Sequence, residues 1–411
     1  MLNKVFDTIR PLIPKSVFSF FQPIYHYLLA ISGAIIYEFP SKKIKIVGIT
    51  GTKGKTSTTE FINGILEASG QKTAILNTIR FKIGEDSRPN MYKMSMPGRL
   101  FVQKIISDAT KAGCDWVIME VTSEGIRQFR NSFINFDVGI FTGIEPEHIE
   151  SHGSFENYLN AKLKFPQQLE RSPKRPRVMI SNCDSEYGEK FLQYGAEEKI
   201  SFHLADTNLV PEIPGDFMIL NAGLAEAFAK SQNISHEMIA LGIASIKSIP
   251  GRVKFVKVSE KQNFDVIIDY AHTPGSLEAL YKTFNSSHKI CVLGNTGGGR
   301  DTWKRPIMGE IASRHCDEVI LTNEDPYDEN PEQIVKDMVK DMVKKPEIIM
   351  DRRDALRFAF EKAQKLSQGN KNVTVLITGK GTDPYLMEAN GKKTPWGDEN
   401  VAREELEKIF S

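Results

Sequence analysis

Short apolar runs alternate with amphipathic stretches along most of the chain after Lys45. A buried strand is predicted for the β-branched run IKIVGIT (44–50), and a helix for TSTTEFINGILEASG (56–70), where apolar residues recur three and four positions apart. Further buried strands are predicted for DWVIMEV (115–121) and DVGIFTGI (137–144). Because strands that alternate with helices form parallel sheets covered by those helices, the pattern predicts an α/β fold with a parallel-rich sheet.

A second strand–helix series follows the segment IPGRVKFV (249–256). Its predicted strands are FDVIIDYA (264–271), KICVLGN (289–295), EVILTN (318–323) and VTVLITG (373–379). Such repeats are typical of doubly wound, Rossmann-like domains. We therefore predict a short apolar helical segment (1–44), a central α/β domain (45–249) and a C-terminal Rossmann-like domain (250–411).

The N-terminal segment has its own pattern. Residues 17–37 are mostly apolar; Lys4, Arg10 and Lys15 precede them and Lys42, Lys43 and Lys45 follow. Pro23 interrupts this run and leaves 14 uninterrupted positions, from Ile24 to Tyr37. A membrane-spanning helix needs about 20 residues, so a transmembrane segment is not predicted. The pattern favours a helix packed on the central domain, and the alternative is an interfacial helix that rests on a membrane surface.

Composition narrows the class of protein. Lys and Arg (53) nearly balance Asp and Glu (52) in 411 residues, so net charge gives no indication of a nucleic-acid partner. A hydrophobic content of 40% is ordinary for a soluble globular protein. The four cysteines are far apart and lack CxxC spacing, which is typical of reduced core cysteines in a cytosolic protein.

The strongest local motif is a glycine-rich loop, GITGTKGKT (48–56), between the first strand and the first helix. Backbone N–H groups of such a turn can wrap phosphate oxygens, and the helix N-terminus favours negative charge. A lysine here would neutralise the terminal phosphates, and the next hydroxyl would bind Mg²⁺. The spacing differs from G-x₄-G-K-T, whose first glycine would fall at Ile49. The predicted nucleotide contacts are Gly51, Thr52, Gly54, Lys55, Thr56 and Ser57.

This variant loop resembles that of the Mur ligase and folylpolyglutamate synthase superfamily, whose members are ATP-dependent amide ligases. The segment MEVTSEG (119–125) resembles the family's E-x-S-S block, which implies that Glu120 binds a metal ion, although Glu124 replaces the usual His or Gln. FTGIEPEHIESHGSFENYLNAKLKF (141–165) resembles a second block, in which Gly143, Glu147 and Glu150 replace the family's Asn and two Asp.

The resemblance in this second block implies a role for two further residues. His148 matches the ligand of a second Mg²⁺ ion, and Lys162 matches a lysine that CO₂ converts to a carbamate. A carbamate turns a cation into an anion that can bind metal. The implied cofactors are therefore ATP, two Mg²⁺ ions and a carbamylated Lys162. The implied catalytic residues are Lys55, His148 and Lys162, and the implied metal ligands are Thr56, Glu120, His148 and Lys162.

Three segments of the second half also resemble the family: IPGR (249–252), DYAHTPGSL (269–277) and GNTGGGRDTWKRPIMG (294–309). The implied nucleotide contacts are Arg252, Asp269, Tyr270, His272, Asn295 and Arg300. Within the family, the last two segments are most similar to the MurE type, which adds the third amino acid of the peptidoglycan stem to a UDP-N-acetylmuramoyl dipeptide.

The motifs do not identify the amino acid that is added. Diaminopimelate-adding enzymes carry D-N-P-R, but this chain has Glu324-Asp325-Pro326-Tyr327 and therefore lacks the arginine that pairs with the far carboxylate of diaminopimelate. GKGTD (379–383) stands where those enzymes read G-K-G-H-E, and its Asp383 is a candidate for binding a far ammonium. The substrate contacts that we expect are Ser95, Arg305, Asp325, Tyr327 and Asp383.

Only about 44 residues precede the first predicted strand, so we expect the family's usual N-terminal UDP-binding domain of roughly one hundred residues to be absent. The function implied by the resemblance is transfer of an amino acid to a muramoyl-peptide precursor through an acyl phosphate. Alternatives are a folylpolyglutamate-synthase-like or other ligase acting on a non-UDP or lipid-linked acceptor, and an inactive nucleotide-binding partner protein. We expect a cytoplasmic monomer without a nucleic-acid partner, and residues 17–37 are where it could associate with the inner membrane face.

Overall fold

The computed structural model describes residues 15–369 and 371–411. Its first element, α1 (Lys15–Ile36), continues through Pro23, so the proline does not interrupt the helix. Ala30 and Ala34 are buried on the inner side of α1, which packs on the helix that begins at Arg99. The part of the predicted N-terminal segment before Lys15 lies outside the described residues. No helix in the described part of the chain is long and apolar enough to cross a membrane.

The first half of the chain forms an eight-stranded sheet. Its strands are β1 (Lys45–Thr50), β2 (Thr73–Leu76), β3 (Arg80–Ile83), β4 (Asp86–Pro89), β5 (Trp116–Glu120), β6 (Val138–Phe141), β7 (Val178–Asn182) and β8 (Glu198–Phe202). They lie in the order β4-β3-β2-β5-β1-β6-β7-β8, in which the β2–β3 and β3–β4 pairs are antiparallel and the other pairs are parallel. Every residue of β1 after Lys45 is buried, because helices cover both faces of this central strand.

Helices and a few short turns connect these strands. The helices are α2 (Lys55–Ala68), α3 (Arg99–Lys111), α4 (Ser123–Arg127), α5 (Ile149–His152), α6 (Phe155–Glu170), α7 (Gly188–Leu192), α8 (Asp216–Ser231) and α9 (His236–Ser245). Short 3₁₀ turns occur at Pro40–Lys42 and Leu204–Asp206. The region 171–215, whose composition predicts no clear elements, contains β7, α7 and β8.

The second half forms a six-stranded sheet and a small hairpin. The sheet contains β9 (Lys254–Phe255), β10 (Asp265–Ile268), β11 (His288–Leu293), β12 (Glu318–Leu321), β13 (Glu347–Ile348) and β14 (Val373–Ile377), in the order β13-β12-β11-β14-β10-β9. Only β9 is antiparallel to its neighbour. The hairpin is formed by β15 (Tyr385–Met387) and β16 (Lys393–Pro395), with a 3₁₀ turn at Ala389–Gly391 between them.

Five helices cover this second sheet: α10 (Pro274–Thr283), α11 (Lys304–His315), α12 (Pro331–Val339), α13 (Arg352–Ser367) and α14 (Asp398–Phe410). The predicted α/β class, with a parallel-rich first sheet and a second sheet, is confirmed.

In the first sheet, β1 is central, and the loops that follow β1, β5 and β6 leave the same edge because these strands are parallel neighbours. Ligands of open α/β sheets bind at this carboxyl edge.

The prediction that all four cysteines are reduced is wrong for two of them. Cys291 in β11 and Cys316 just before β12 form a disulfide, and their Cα atoms are 6.2 Å apart. They are 25 residues apart in sequence, but β11 and β12 pair in parallel, so the end of α11 returns Cys316 to the side of Cys291. Sequence spacing alone gave no sign of this neighbourhood. Cys114 and Cys183 are free.

The C-terminal helix α14 is attached to α13 by a buried carboxylate. Glu405 accepts hydrogen bonds from Arg353 (2.8 Å), Arg357 (2.9 Å) and Lys408 (2.8 Å). Burial opposes ionisation, but these three cations prevail and lower the pKa of Glu405 from 4.5 to about 2. A carboxylate whose pKa is lower in the folded than in the unfolded state stabilises the fold above the unfolded pKa.

We therefore expect Glu405→Gln to lower the melting temperature at pH 7, and the difference from the unmodified chain to shrink as pH falls from about 4.5 towards 2. Its partners are partly exposed, so we expect a loss of about 1–2 kcal/mol. Glu404→Gln is the matched control, because Glu404 is half-exposed and, among the residues that the structure describes, pairs with Arg353 alone. A difference for Glu405→Gln that stayed constant between pH 7 and pH 3 would contradict this assignment.

Candidate active site

The phosphate loop is pressed against two neighbouring segments. Gly51 (φ 152°) and Gly54 (φ 82°) adopt conformations that favour glycine. A Cβ atom on Gly51 would lie 2.0 Å from Thr142 Oγ1, and one on Gly54 would lie 2.3 Å from Asn221 Oδ1. A side chain at either position would therefore be strained, and at Gly51 it would also meet the backbone oxygen of Gly143 at 2.9 Å. The loop brings the N-terminus of α2, with its free N–H groups, to the carboxyl edge of the sheet.

Two lysines converge on one carbonyl oxygen of this loop. Lys55 Nζ and Lys162 Nζ each donate a hydrogen bond of 2.8 Å to the oxygen of Gly51. Burial lowers the pKa of Lys55, although Glu120 and Glu147 oppose this shift. Burial also lowers the pKa of Lys162 well below its usual range, and the charge of Lys55 lowers it further. The lowered pKa of Lys162 favours its neutral amine over its ammonium.

Glu120, at the end of β5, lies beside the phosphate loop and is fully buried. Its carboxylate accepts hydrogen bonds from Thr56 Oγ1 (2.6 Å), Thr78 Oγ1 (2.8 Å) and Ser95 Oγ (2.6 Å). Ser95, which we expected to contact substrate, thus also orients the predicted metal ligand. Thr56 and Glu120 form an adjacent hydroxyl–carboxylate pair. This pair suits Mg²⁺, which usually takes one or two protein oxygens and completes its shell with phosphate and water.

His148 and Lys162 both lie near the ring of Tyr158, a residue that the motifs did not assign to the site. The His148 ring centroid is 6.1 Å from that of Tyr158, and Lys162 Nζ is 4.8 Å from the Tyr158 ring. The Tyr158 hydroxyl in turn contacts Thr52 Oγ1 at 2.9 Å. Burial lowers the pKa of His148, which favours a neutral imidazole. Within the described residues, His, Cys, Asp and Glu nowhere form a group of three that could hold a metal ion by themselves.

The second half of the chain contributes directly to the same region. His272 Nε2 lies 2.8 Å from Glu147 Oε1, and Arg252 Nη2 donates to Thr56 Oγ1 at 3.4 Å. The Arg252 guanidinium also stacks over the ring of Tyr270, 4.7 Å from its centroid. Asp269 differs from the other predicted residues of this half. Its two carboxylate oxygens accept hydrogen bonds from the backbone N–H groups of Val253 and Ala271.

Asp301 is a further residue that the motif analysis missed. Its carboxylate, from the loop before α11, accepts the backbone N–H groups of His148 (2.9 Å) and Ile149 (3.0 Å). It thereby caps α5 from the other half of the chain. His148 itself has a positive φ of 57°, so its backbone conformation needs support from its surroundings. Only the adjacent arginine of the GGGRD run was a candidate from sequence.

The other predicted residues are not all brought to the cavity. Arg305 is buried and forms a bidentate ion pair with Glu329, at 2.6 and 2.9 Å. Its guanidinium is therefore occupied within the protein and is not free to bind a substrate. Asn295 is buried, and its amide donates to Met308 Sδ at 3.1 Å. Arg300, by contrast, is exposed at the cavity and stacks over Tyr327, 5.0 Å from the ring centroid.

Asp325 and Asp383 lie together, as the substrate prediction requires, but they enclose a lysine of this chain. Lys93 Nζ is 2.9 Å from Asp325 Oδ2 and 2.9 Å from Asp383 Oδ2. Motif analysis did not single out Lys93, which belongs to the loop between β4 and α3. No local pattern distinguishes it from a solvated lysine.

A cavity of about 1,020 Å³ lies beside these groups, although its lining does not include Lys162, Asp325 or Asp383. Its lining joins the phosphate loop to Glu120, His148, Arg252, His272 and Arg300. Lys93 and Ser95 also line it. A nucleoside triphosphate and a second substrate can be held together in a space of this size. The site thus combines a phosphate loop, a candidate Mg²⁺ pair, buried lysines and groups from both halves.

Two family models match the two halves of the chain that form this site. A family model described as the Mur ligase middle domain matches residues 49–247, and one described as the Mur ligase glutamate ligase domain matches residues 251–381. The UDP-N-acetylmuramoyl-L-alanyl-D-glutamate–2,6-diaminopimelate ligase 1 of Clostridium acetobutylicum is 34% identical over 93% of this chain and 82% of its own length. The corresponding ligase of Aquifex aeolicus is 30% identical over 91% of this chain and 80% of its own length.

Solved structures show the same fold at lower identity. A UDP-N-acetylmuramoyl-L-alanyl-D-glutamate–2,6-diaminopimelate ligase has a TM-score of 0.58 at 24% identity and covers 90% of this chain and 79% of its own. Folylpolyglutamate synthase of Mycobacterium tuberculosis, complexed with ADP, has a TM-score of 0.68 at 16% identity and covers 86% of this chain and 92% of its own.

Proposed function

The chain belongs to the Mur ligase family of ATP-dependent ligases, and from this premise we propose that it joins an amino acid to a muramoyl-peptide precursor through an acyl phosphate. The observation that carries the proposal is the convergence on one cavity of the phosphate loop, the Thr56–Glu120 pair and Arg252 from the second half. Phosphoryl transfer depends mainly on positioning and on electrostatic stabilisation, and these groups supply both.

In the first step, a carboxylate oxygen of the acceptor attacks the γ-phosphorus of ATP, and ADP leaves. Backbone N–H groups of the phosphate loop and the ammonium of Lys55 hold the phosphates and stabilise the negative charge that develops on them. Thr56 and Glu120 would hold one Mg²⁺ ion, and His148 with a carbamylated Lys162 would hold a second. Bound Mg²⁺ supplies additional charge neutralisation for the phosphates.

In the second step, the amino group of the incoming amino acid attacks the acyl carbon. The carbon–oxygen bond to phosphate breaks, the nitrogen loses a proton, and an amide and inorganic phosphate remain. An acyl phosphate is sensitive to water, so the site must limit water access. We infer that the Glu147–His272 contact and the Asp301 cap, which join the two halves of the chain beside the cavity, serve this purpose.

The test is phosphate release from ATP and Mg²⁺ with UDP-N-acetylmuramoyl dipeptide and a panel of lysine, ornithine and diaminopimelate, with products identified by mass. We expect turnover with one amino acid and a loss of roughly a hundredfold or more in Glu120→Gln, which keeps the shape of the side chain but removes its charge. A lipid-linked muramoyl peptide and a folate acceptor form the second arm. Turnover only with the folate would overturn the muramoyl assignment in favour of the folylpolyglutamate-type reaction.

We further propose that Lys162 reacts with CO₂. The neutral amine is the nucleophile in carbamate formation, and burial together with Lys55 lowers the pKa of Lys162. The ammonium first releases one proton, and the neutral nitrogen then attacks the carbon of CO₂ and releases a second proton, so the charge at this position changes from positive to negative. The resulting anion would lie beside Lys55, which shares the Gly51 oxygen with Lys162, so the repulsion between the two cations would become an attraction.

We expect a carbamate carbon signal in the ¹³C NMR spectrum of the protein equilibrated with ¹³C-bicarbonate, and its absence in Lys162→Ala. Removing CO₂ should lower turnover and restoring bicarbonate should recover it. Lys164→Ala, two residues along the same helix, is the control, because this lysine is exposed and should leave the signal intact. The same signal in Lys162→Ala as in the unmodified chain would refute carbamylation at this lysine.

We also propose that the protein is cytoplasmic and associates peripherally with the inner face of the membrane through α1. The outer side of this helix exposes large apolar residues, including Ile24 (50% exposed), Leu28 (55%) and Ile35 (59%). They recur at spacings of four and seven residues and therefore form one stripe. Lys42 and Lys43 follow the helix and are exposed, as expected for contact with anionic lipid headgroups.

We expect the double variant Leu28→Asp, Ile35→Asp to lose flotation with vesicles that contain anionic lipid, without loss of folding, because both side chains are exposed. Leu241→Asp is the control, since Leu241 is 55% exposed but lies on α9. Equal flotation of the double variant and the unmodified chain would rule out this surface as the membrane contact.

A further inference from the structure

Four charged side chains form a cluster next to the cavity, and of these four only Lys93 is part of the cavity lining. Lys93 reaches it from the first half, whereas Asp325, Lys380 and Asp383 belong to the second half. Lys93 Nζ lies 2.9 Å from an oxygen of each aspartate. Lys380 Nζ lies 2.7 Å from the other oxygen of Asp325 and 3.7 Å from Asp383. Each carboxylate therefore faces both ammonium groups, and the four charges sum to zero.

The cluster is shielded from water. The Asp325 side chain is 5% exposed, that of Lys380 is 1% and that of Lys93 is 19%. Burial opposes the charge of Lys93, but Asp383 and Asp325 outweigh it and raise the pKa of Lys93 above its usual range. Burial likewise opposes the charge of Asp325, and Lys380 and Lys93 keep its pKa below the usual range. The neighbouring Glu324 faces Thr296 instead, at 2.9 Å.

In a poorly solvated cluster the sum of the charges matters, because an uncompensated charge there is costly. Adding a lone ammonium would leave one uncompensated positive charge, unless Lys93 withdrew from the aspartates. A far end that carries both an ammonium and a carboxylate would add no net charge. Its ammonium can approach the aspartates while its carboxylate approaches Lys93.

Building on the proposed ligase function, we propose that Lys93 is a specificity-determining residue: its ammonium completes a neutral cluster with Asp325, Asp383 and Lys380 that admits an amino acid with a zwitterionic far end and disfavours one that ends in a bare ammonium. Lys93 suits this role because it also lines the cavity. The next two residues of the chain, Met94 and Ser95, line the same cavity, and Ser95 donates to Glu120 beside the phosphate loop, so this loop runs from the charged cluster to the predicted nucleotide region. Tyr327, on the second half, contributes no charge.

The test uses two amino acids that differ only by a carboxylate on the far carbon, meso-diaminopimelate and L-lysine. Their dissociation constants are measured by calorimetry on the full chain with Mg²⁺ and a non-hydrolysable ATP analogue. We expect the unmodified chain to favour diaminopimelate. Lys93→Met should shift the ratio of the two constants towards lysine by about tenfold or more, since it leaves two carboxylates facing one lysine. Lys93→Arg, which keeps the charge, should retain the original preference.

Lys174→Met is the matched control. Lys174 pairs with Asp137 at 2.6 Å with a similar side-chain exposure, 14%, but lies away from the cavity lining, so its loss should leave the ratio unchanged. Lys93→Gln provides a second uncharged variant if the methionine variant does not fold. A ratio that stays within twofold in the uncharged variants, or no binding of either amino acid to any form, would overturn the proposal. Failure of turnover with an intact shift in the ratio would instead count against the ligase function alone.

Discussion

The side-chain nitrogens of two lysines share the carbonyl oxygen of Gly51, and the electrostatics of the whole active site depend on this contact. Lys55 comes from the start of α2 and Lys162 from α6, so two separate helices concentrate positive charge at one point of the phosphate loop. Each lysine is buried and donates at 2.8 Å. Like charges this close repel strongly where water is scarce. A triphosphate relieves that repulsion, and so does any reaction that turns one lysine into an anion.

The second half of the chain completes this site with its own polar groups. Asp301 holds the turn that carries His148, and His272 holds the preceding residue, Glu147. Arg252 reaches Thr56 at the phosphate loop. The geometry of the first half around His148 is therefore set partly by contacts from the second half. A movement that separated the two halves would release these contacts together, which couples closure over the cavity to the conformation of the predicted metal ligand.

The sequence predicts the parts of this site that are local in the chain, and it misses the parts that depend on tertiary neighbours. The phosphate loop and Glu120 could be placed because each follows directly on a strand and parallel neighbours end at one edge. The pairing of Arg305 with Glu329 could not be predicted, because the two residues are 24 positions apart in the chain and any cation in that loop could equally well bind a phosphate. Tyr158 and Asp301 lie within the motifs but were not assigned to the site, because a tyrosine or an aspartate in a motif gives no indication of which group it will contact.

The cluster around Lys93 shows why specificity is difficult to infer from the loop at Asp325 alone. A motif describes the charges that one segment contributes, whereas a bound amino acid responds to the sum of the charges from every segment that reaches it. Tyr327 removes a cation from that loop, but Lys93 arrives from the other half of the chain and restores one beside Asp325 and Asp383. The net charge expected from the loop at Asp325 alone therefore differs from the net charge of the cluster that Lys93 completes in the folded protein. Because the lysine comes from outside the loop, the balance of charge at the far end of the substrate can be kept even when the loop itself changes.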